Sequence, residues 1–215
     1  MEALSDISGC QYSDARNSHS HAYLLPTARA ELTRLREKSS RSELQLFELG
    51  CGNGSLAAVL TDNGWNIAGV DPSVEGIKIA NSNCPLLRLE IGSASEDLAA
   101  RFGRFPVVIS LEVVEQVYAP RDYAATIYDL LTPGGTAIIS TPYHGYLKNL
   151  ALAASGKMDE HFTALWDHGH IKFWSIQTLT TLLQEAGFRN IRFVRVGRVP
   201  ALAKSMIAVA QRPEE

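Results

Sequence analysis

A cluster of glycines directly after a short apolar run constrains this chain more than any other feature. Residues 44–54 read LQLFELGCGNG, in which Gly50, Gly52 and Gly54 alternate with other residues. An apolar run that ends in glycines is typical of a buried strand that stops at a tight turn. Ser55 then opens a helical pattern, as a cap or a first-turn residue. The stretch predicts a strand, a glycine loop and a helix, and the loop can press its backbone amides against a nucleotide-like ligand.

An acidic residue follows the next predicted strand. Asn66 to Val70 reads as that strand, and Asp71 stands at its end. An acid at the tip of the second strand can accept hydrogen bonds from both hydroxyls of a ribose. The alternative role for Asp71 is a helix cap in the turn before the helix predicted over Val74 to Asn83. The two roles are compatible in one residue.

Composition limits the class of protein. The chain has 215 residues, of which 46% are hydrophobic and 20% charged, and this suits one globular domain over 1–215. A net charge of −3 argues against nucleic acid or an anionic membrane as a partner. The three cysteines form no C-x-x-C pair, which suits a reducing compartment. Residues 1–20 contain no signal-peptide core and no apolar run is long enough to span a bilayer, so we expect a cytoplasmic protein.

Predicted strands and helices alternate along most of the chain. The later strands are predicted over residues 86–91, 105–111, 136–140, 191–196 and 205–210. The helices are predicted over residues 21–38, 55–60, 74–83, 96–101, 123–131 and 175–186. This alternation predicts an α/β fold with a mostly parallel sheet and right-handed crossovers. The last two strands lack a helix between them and are predicted to form a closing β-hairpin.

The glycine loop resembles motif I of class I S-adenosylmethionine-dependent methyltransferases. That motif is close to E/D-x-G-x-G-x-G, and Glu48 stands two residues before Gly50. The spacing differs from the G-x-G-x-x-G of dinucleotide-binding folds. The closing hairpin also resembles the methyltransferase sheet, in which strand seven inserts antiparallel between strands five and six. The resemblance implies a Rossmann-like three-layer sandwich with seven strands in the order 3-2-1-4-5-7-6, and S-adenosylmethionine as the cofactor.

The resemblance also implies which residues hold the cofactor. Gly92-Ser93-Ala94 falls where the family reads the adenine, with Ser93 in place of the usual acid. In that family, backbone atoms at the C-terminal end of the fourth strand often bind the methionine end of the cofactor. The predicted cofactor-binding residues are Glu48, Gly50, Cys51, Gly52, Asn53, Gly54, Asp71, Pro72, Ser93, Ala94, Ser110, Leu111 and Glu112.

The segment that follows the fourth strand resembles a more specific group. Residues 112–117 read EVVEQV and are similar to the EVLEHV common in ubiquinone-biosynthesis-like methyltransferases. Gln116 stands where histidine is frequent, so a base or metal ligand expected there is absent. Glu115 is interpreted as an acid at a helix N-terminus, where it complements the helix dipole.

The substrate side is assigned to residues 142–174, a connection longer than usual, which we predict to be an inserted lid. It contains four of the six histidines, and its DHGHIKFWS stretch resembles a segment of quinone-type O-methyltransferases. A histidine there could take the proton from a hydroxyl acceptor. His168 and His170 are the first candidates for this catalytic role, followed by His144. A structural histidine is the alternative for each, and a metal site that joins His161, His168 and His170 with Asp167 lacks a recognised spacing, so no metal is predicted.

Residues 1–40 are predicted to be an N-terminal helical extension over the cofactor cleft. His19, His21 and Tyr23 could then face a ligand, although a solvated surface is the simpler interpretation. The arginines that recur every third residue from Arg189 are interpreted as solvated. The predicted activity is methylation of a small molecule, chiefly at a hydroxyl oxygen, with nitrogen or sulfur as alternatives. A nicotinamide oxidoreductase is the alternative from another class, and a homodimer is left open.

Overall fold

The protein is built on one seven-stranded sheet with helices on both faces. The computed structural model describes residues 20–38, 44–162, 164–166 and 169–214. The strands are β1 Gln45–Leu49, β2 Asn66–Asp71, β3 Arg88–Ile91, β4 Phe105–Leu111, β5 Leu131–Pro142, β6 Arg189–Val196 and β7 Ser205–Gln211. The helices are α1 His21–Lys38, α2 Ser55–Thr61, α3 Val74–Asn83, α4 Leu98–Phe102, α5 Pro120–Leu130, α6 Tyr146–Ala154, α7 Met158–Phe162 and α8 Ile176–Glu185. Within these ranges, the helices are all too short or too polar to cross a membrane.

The strand order is β3-β2-β1-β4-β5-β7-β6. β1 pairs in parallel with β2 and with β4, whereas β7 pairs antiparallel with both β5 and β6. The predicted order and the closing hairpin are therefore confirmed. This order brings the C-terminal ends of β1, β2 and β4 together at one edge of the sheet, where ligands bind in open α/β folds.

Two apolar cores lie on opposite faces of the sheet. Neighbouring residues of a strand point to opposite faces, so Phe47 packs in one core and Leu46 in the other. The Phe47 core includes buried side chains of α4, α5 and α8, and the Leu46 core includes those of α1, α2 and α3. The result is the three-layer sandwich that the resemblance implied.

Helix α1 lies against the last two strands of the sheet. Its residues Leu24, Ala28 and Leu32 are buried. Glu31 of α1 forms an ion pair with Arg192 of β6. The sequence had predicted that this arginine is solvated. Arg192 keeps 47% of its side chain exposed, but α1 packs along β6 and places the buried Glu31 carboxylate beside it.

The region around α5 differs most from the predicted boundaries. The helix begins at Pro120, which suits its first turn because proline has no amide hydrogen to leave unbonded there. Leu131, predicted to end the helix, instead begins β5, because it pairs with Phe105 of β4. β5 then continues to Pro142 and carries the chain directly into the segment 142–174.

Candidate functional site

The glycine loop between β1 and α2 has the conformation that the sequence predicted. Gly50, Gly52 and Gly54 have φ values of 85°, 51° and 74°, in the left-handed region that favours glycine. At Gly50 space is also limited, because a Cβ atom would lie 2.3 Å from Cγ2 of Val113. The loop thus presents bare backbone at the C-terminal end of β1, and Gly50 lets the turn after β4 approach it closely.

Asp71 holds this loop from the neighbouring strand. Its Oδ2 accepts a hydrogen bond from the amide of Gly52 at 2.9 Å, and its Oδ1 accepts one from the amide of Ser73 at 2.9 Å. Ser73 in turn caps α3, where its hydroxyl accepts from the Gly76 amide at 3.0 Å. The cap of α3 is therefore Ser73, and Asp71 links that cap to the glycine loop.

Two further ionisable groups lie buried beneath the loop. Burial raises the pKa of Glu48 well above its ordinary value, and the negative charge of Asp71 raises it further. Burial, followed by the charges of Glu48 and Asp71, likewise raises the pKa of the Cys51 thiol. Both groups therefore favour their neutral forms.

A large cavity opens over this loop. Its volume is about 1990 Å³, whereas a pocket for one small ligand typically has roughly 300–1,000 Å³. The predicted cofactor-binding residues that line it are Glu48, Gly50, Cys51, Gly52, Asn53, Asp71, Pro72, Ser93, Ala94, Leu111 and Glu112. The cavity has room for a nucleoside-sized ligand and a second molecule beside it.

Two of the predicted cofactor-binding residues do not line the cavity. A Cβ atom on Gly54 would lie 2.9 Å from Cβ of Ala80, so this glycine is needed for packing of the loop against α3. Ser110 is completely buried, and its hydroxyl donates to the carbonyl of Leu49 at 2.8 Å. It fastens β4 to β1 and faces away from the ligand space.

Ser93 and Ala94 lie at the cavity edge after β3. The Ser93 amide donates to Oε1 of Glu96 at 2.7 Å, and the Ala94 carbonyl accepts from the Thr126 hydroxyl at 2.7 Å. Glu96 thus brings a carboxylate to the turn where the family usually has an acid in place of Ser93. The sequence did not single out Glu96, since its position lies outside the motif.

The turn after β4 is strained and carries a partly buried carboxylate. Glu112 has a φ of 56°, which is uncommon outside glycine and concentrates at functional sites. Its Oε1 accepts from the Ser140 hydroxyl at 2.8 Å and its Oε2 from the Ser205 hydroxyl at 3.3 Å. Burial raises the pKa of Glu112 to about 7, even though these hydrogen bonds and the charge of Lys148 act to lower it.

The interpretation of Glu115 as a helix N-terminal acid is wrong. α5 begins five residues later in the chain, at Pro120, and Glu115 lies in the preceding turn with only 1% of its surface exposed. Its carbonyl accepts from the amides of Ile171 and Lys172, each at 2.9 Å. These bonds fix the turn against the segment 142–174, and burial raises the pKa of the Glu115 carboxyl well above its usual range.

The structure brings two of the three candidate histidines into the cavity. His170 lies with Nε2 3.7 Å from Oε1 of Glu115, and burial lowers its pKa. His144 also lines the cavity, and burial together with Lys148 lowers its pKa to about 4. Both imidazoles are therefore neutral at neutral pH. His168, like Asp167 and His19, lies outside the described residues.

His144 belongs to a group of aromatic rings on one side of the cavity. Its ring centroid is 5.9 Å from that of Phe162 and 5.1 Å from that of Phe173. Phe162 and Phe173 meet edge to face at 4.9 Å. We call His144, Phe162 and Phe173 the aromatic wall. His161, whose ring is 5.4 Å from His144, lies beside it.

Lys148 is a site residue that the sequence did not indicate. It lies in α6 with 8% of its surface exposed, and it lines the cavity. Its Nζ donates to the carbonyls of Tyr143 at 2.9 Å and Lys204 at 3.4 Å. Burial, and then the charge of Arg198, lowers its pKa to about 8. A single lysine in a mostly apolar helix carries no sequence signal that distinguishes an inward ammonium from a solvated one.

Helix α1 and the residue that precedes it supply part of the cavity wall. Ser20, His21 and Tyr23 line it. The Tyr23 hydroxyl lies 3.3 Å from the Ser205 hydroxyl, which donates to Glu112. Over the described ranges, His, Cys, Asp and Glu nowhere form a group of three or more suited to a metal ion.

The chain shares sequence with curated methyltransferases. The chain is 39% identical over 117 residues to the ubiquinone biosynthesis O-methyltransferase of Caulobacter sp. (strain K31), an alignment that covers 53% of this chain and 46% of the relative. It is 32% identical over 151 residues to the protein of the same name from Cereibacter sphaeroides (strain ATCC 17025 / ATH 2.4.3), with 67% and 60% covered. The chain thus spans about half the length of the relatives it matches.

Solved structures share the fold at low sequence identity. Magnesium protoporphyrin IX methyltransferase from Synechocystis PCC 6803, solved with bound SAH, has a TM-score of 0.63 and 19% identity, with 87% of this chain and 82% of that one covered. A SAM-dependent methyltransferase from Methanosarcina mazei has a TM-score of 0.59 and 17% identity, with 80% and 93% covered. The family described as a methyltransferase domain matches residues 20–192, and the chain belongs to that family.

Proposed function

We propose that the protein transfers a methyl group from S-adenosylmethionine to a small molecule, chiefly to a hydroxyl oxygen. The observation that carries the proposal is the glycine loop tied to Asp71 at the edge of a cavity larger than one ligand needs. The relatives' printed name, an O-methyltransferase, supports oxygen as the acceptor atom.

The residues around the loop fit the adenosyl cofactor. The absence of side chains at Gly50 and Gly52 allows the cofactor to approach the backbone closely. A side chain at Gly50 would also collide with Val113. We assign the ribose hydroxyls to Asp71 and the adenine to Ser93 and Ala94, all of which line the cavity. The cofactor, when bound, supplies an electrophilic methyl group on a sulfonium. The protein then needs to align the acceptor atom with that group, which can contribute up to roughly 7–11 kcal/mol.

Removal of the acceptor's proton falls to one of the ionisable groups in the cavity. His170 and His144 are neutral at neutral pH and so have a free ring nitrogen, although the lowered pKa makes each a weaker base than an ordinary imidazole. His168 is a further candidate from the sequence. Glu112 joins them, because its raised pKa makes its carboxylate a stronger base than an ordinary one. A general base of this kind contributes roughly 10²–10⁴-fold.

Two segments complete the proposed enzyme. Residues 142–174 serve as the substrate-side lid, since their aromatic wall and Lys148 face the part of the cavity beyond the glycine loop. Residues 1–40 serve as an N-terminal extension over the cofactor cleft, which the cavity contacts of His21 and Tyr23 support. The whole chain then acts as one methyltransferase domain.

Calorimetry with S-adenosylhomocysteine and NAD tests the cofactor assignment. We expect S-adenosylhomocysteine to bind far more tightly, because the loop spacing and the closing hairpin disfavour a dinucleotide. Tighter binding of NAD would refute the methyltransferase proposal and support the oxidoreductase alternative.

A pH–rate profile tests the proton acceptor once a methyl acceptor is known. If Glu112 is the base, activity rises with pH through about 7, and Glu112→Gln removes the rise. If His170 is the base, the rise lies below the ordinary imidazole value of 6.5, and His170→Gln removes it. An acceptor thiol or free amine needs less help, so a loss below about tenfold in all variants would favour sulfur or nitrogen methylation.

A further inference from the structure

Three positive side chains gather around the part of the cavity that faces away from the glycine loop. Lys148 of α6, Arg198 after β6 and Lys204 before β7 all line it. We call these three residues the cationic cluster. Arg198 lies close enough to Lys148 for its charge to lower the ammonium's pKa. Such a concentration of one sign is unexpected in a chain whose net charge is −3.

The cluster lacks the carboxylate partners that usually accompany buried charge. Among the described residues, Lys148 has no ion pair within 4 Å, and its two hydrogen-bond partners are backbone carbonyls. These bonds fix the ammonium in place, whereas the Glu112 carboxylate acts on its charge only from beyond ion-pair distance. A buried cation without an opposite charge is costly. The site is therefore built to gain from an anion that enters the cavity.

Arg198 and Lys204 are the exposed members of the cluster. Within the described part of the chain, Arg198 makes neither a hydrogen bond nor an ion pair. The Lys204 ammonium lies 5.2 Å from the centroid of the Tyr23 ring. Guanidinium groups suit the planar geometry of carboxylate and phosphate. Arg198 is thus available to meet such a group at the cavity mouth.

The aromatic wall lines the same cavity and indicates the shape and polarity of the uncharged part of the ligand. Phe173 is 49% exposed, although a large aromatic ring is usually buried. The exposed ring, together with Phe162 and His144, provides an apolar surface for a planar body. The buried Nε2 of His161, close to this wall, has no hydrogen-bond partner among the described residues. It offers one polar contact at the edge of that surface.

We propose that the methyl acceptor carries an anionic group, a carboxylate or a phosphate, which sits against the cationic cluster while its planar body lies on the aromatic wall. This inference rests on the proposed function, since it names the class of acceptor for the same cavity. The rival occupant of the cluster is the carboxylate of the cofactor's own methionine end. These two occupants are distinguished by measuring the affinity for the cofactor product and the affinity for acceptor-like probes in separate experiments.

The experiment uses benzoate, its neutral isostere benzamide, and phenyl phosphate as probes. Affinity for S-adenosylhomocysteine is measured first, and the probes are then titrated by NMR into the protein with and without it. We expect benzoate or phenyl phosphate to bind at least about tenfold more tightly than benzamide, since charge-assisted bonds are the stronger ones. The tighter of the two anions identifies carboxylate or phosphate as the preferred group. Added salt should weaken the anions and leave benzamide unchanged.

Variants assign the preference to the cluster. Lys148→Met and Arg198→Gln should each remove most of the difference between benzoate and benzamide and leave S-adenosylhomocysteine affinity within about threefold. Arg198 is exposed, so its replacement tests the cluster even if the Lys148 variant does not fold. Lys78→Met is the matched control, because Lys78 is an exposed lysine of α3 whose partner is Glu75, outside the cavity.

Three results overturn the proposal. They are equal affinities of wild type for benzoate and benzamide, an unchanged preference in Arg198→Gln, and an S-adenosylhomocysteine affinity that falls by tenfold or more in the variants. The last result would assign the cluster to the cofactor. If wild type binds no S-adenosylhomocysteine at all, the proposed function fails, whereas the anion preference is still read from the probes alone.

Discussion

Replacement of Asp71 by asparagine separates two roles that this residue has in one site. Asparagine keeps the shape of the side chain and removes its charge. Asp71 accepts from the amides of Gly52 and Ser73 through different oxygens. Asparagine has one carbonyl oxygen, so its NH₂ group must face one of these two N–H donors. The variant therefore breaks one of the two bonds that hold the loop.

The expected cost follows from those bonds. A hydrogen bond to a charged group contributes roughly 1.5–3 kcal/mol, and an unsatisfied buried donor costs a further ~1–3 kcal/mol. Loss of the negative charge also relieves Glu48, but burial is the larger cause of that residue's raised pKa, so the relief is the smaller effect. We expect the free energy of unfolding to fall by about 2 kcal/mol and cofactor affinity to fall about 10- to 100-fold.

The assay is a cycle of two proteins and two ligands. Calorimetry gives the affinities of wild type and Asp71→Asn for S-adenosylhomocysteine and for its analogue without the 2′-hydroxyl. If Asp71 binds the ribose, the missing hydroxyl weakens binding to wild type and has little effect in the variant. Asp129→Asn, on the exposed face of α5, is the matched control and should change neither affinity nor stability. Equal losses for both ligands would refute the ribose role and leave Asp71 as a residue that only positions the loop.

Three shorter predictions address the loop, the turn after β4 and the lid. Gly50→Ala should abolish S-adenosylhomocysteine binding because of the contact with Val113, whereas Gly103→Ala, at a similar φ of 81° but with no atom within 4 Å, should retain it in the same calorimetric assay. The pKa of Glu112 is raised from 4.5 to about 7, so its stabilising contribution is complete below pH 4.5 and is lost as pH rises through 7. Between these pH values, urea unfolding should show that the free energy of unfolding of wild type falls by on the order of 3 kcal/mol relative to that of Glu112→Gln. If the difference between the two proteins did not change with pH, the raised pKa would be contradicted. Trp174→Phe removes the bond of 3.1 Å from the indole Nε1 to the Val114 carbonyl, and hydrogen exchange should then rise in residues 169–174 while the sheet stays protected.

The fold and the cofactor side of the cavity could be predicted because they depend on local rules. Apolar runs that end in glycine fix the strands and the loop, and the placement of Asp71 follows from its position as the last residue of β2. The acceptor side could not be predicted in the same way. Glu115 is buried by backbone bonds to residues 171 and 172, more than fifty positions away, and no local pattern encodes such a contact. The inward ammonium of Lys148 likewise depends on carbonyls that other segments bring to it.

The docking of α1 on the end of the sheet sets the order in which the cavity is completed during synthesis. The Tyr23–Ser205 contact joins residues 182 positions apart, and the Glu31–Arg192 pair joins residues 161 apart. At roughly 5–20 residues per second, a ribosome makes the strand partners of α1 on the order of ten seconds or more after the helix itself. During that time the apolar face formed by Leu24, Ala28 and Leu32 lacks the strands β6 and β7 against which α1 packs. The wall that α1 gives to the cavity therefore cannot be completed until β6 and β7 have been made.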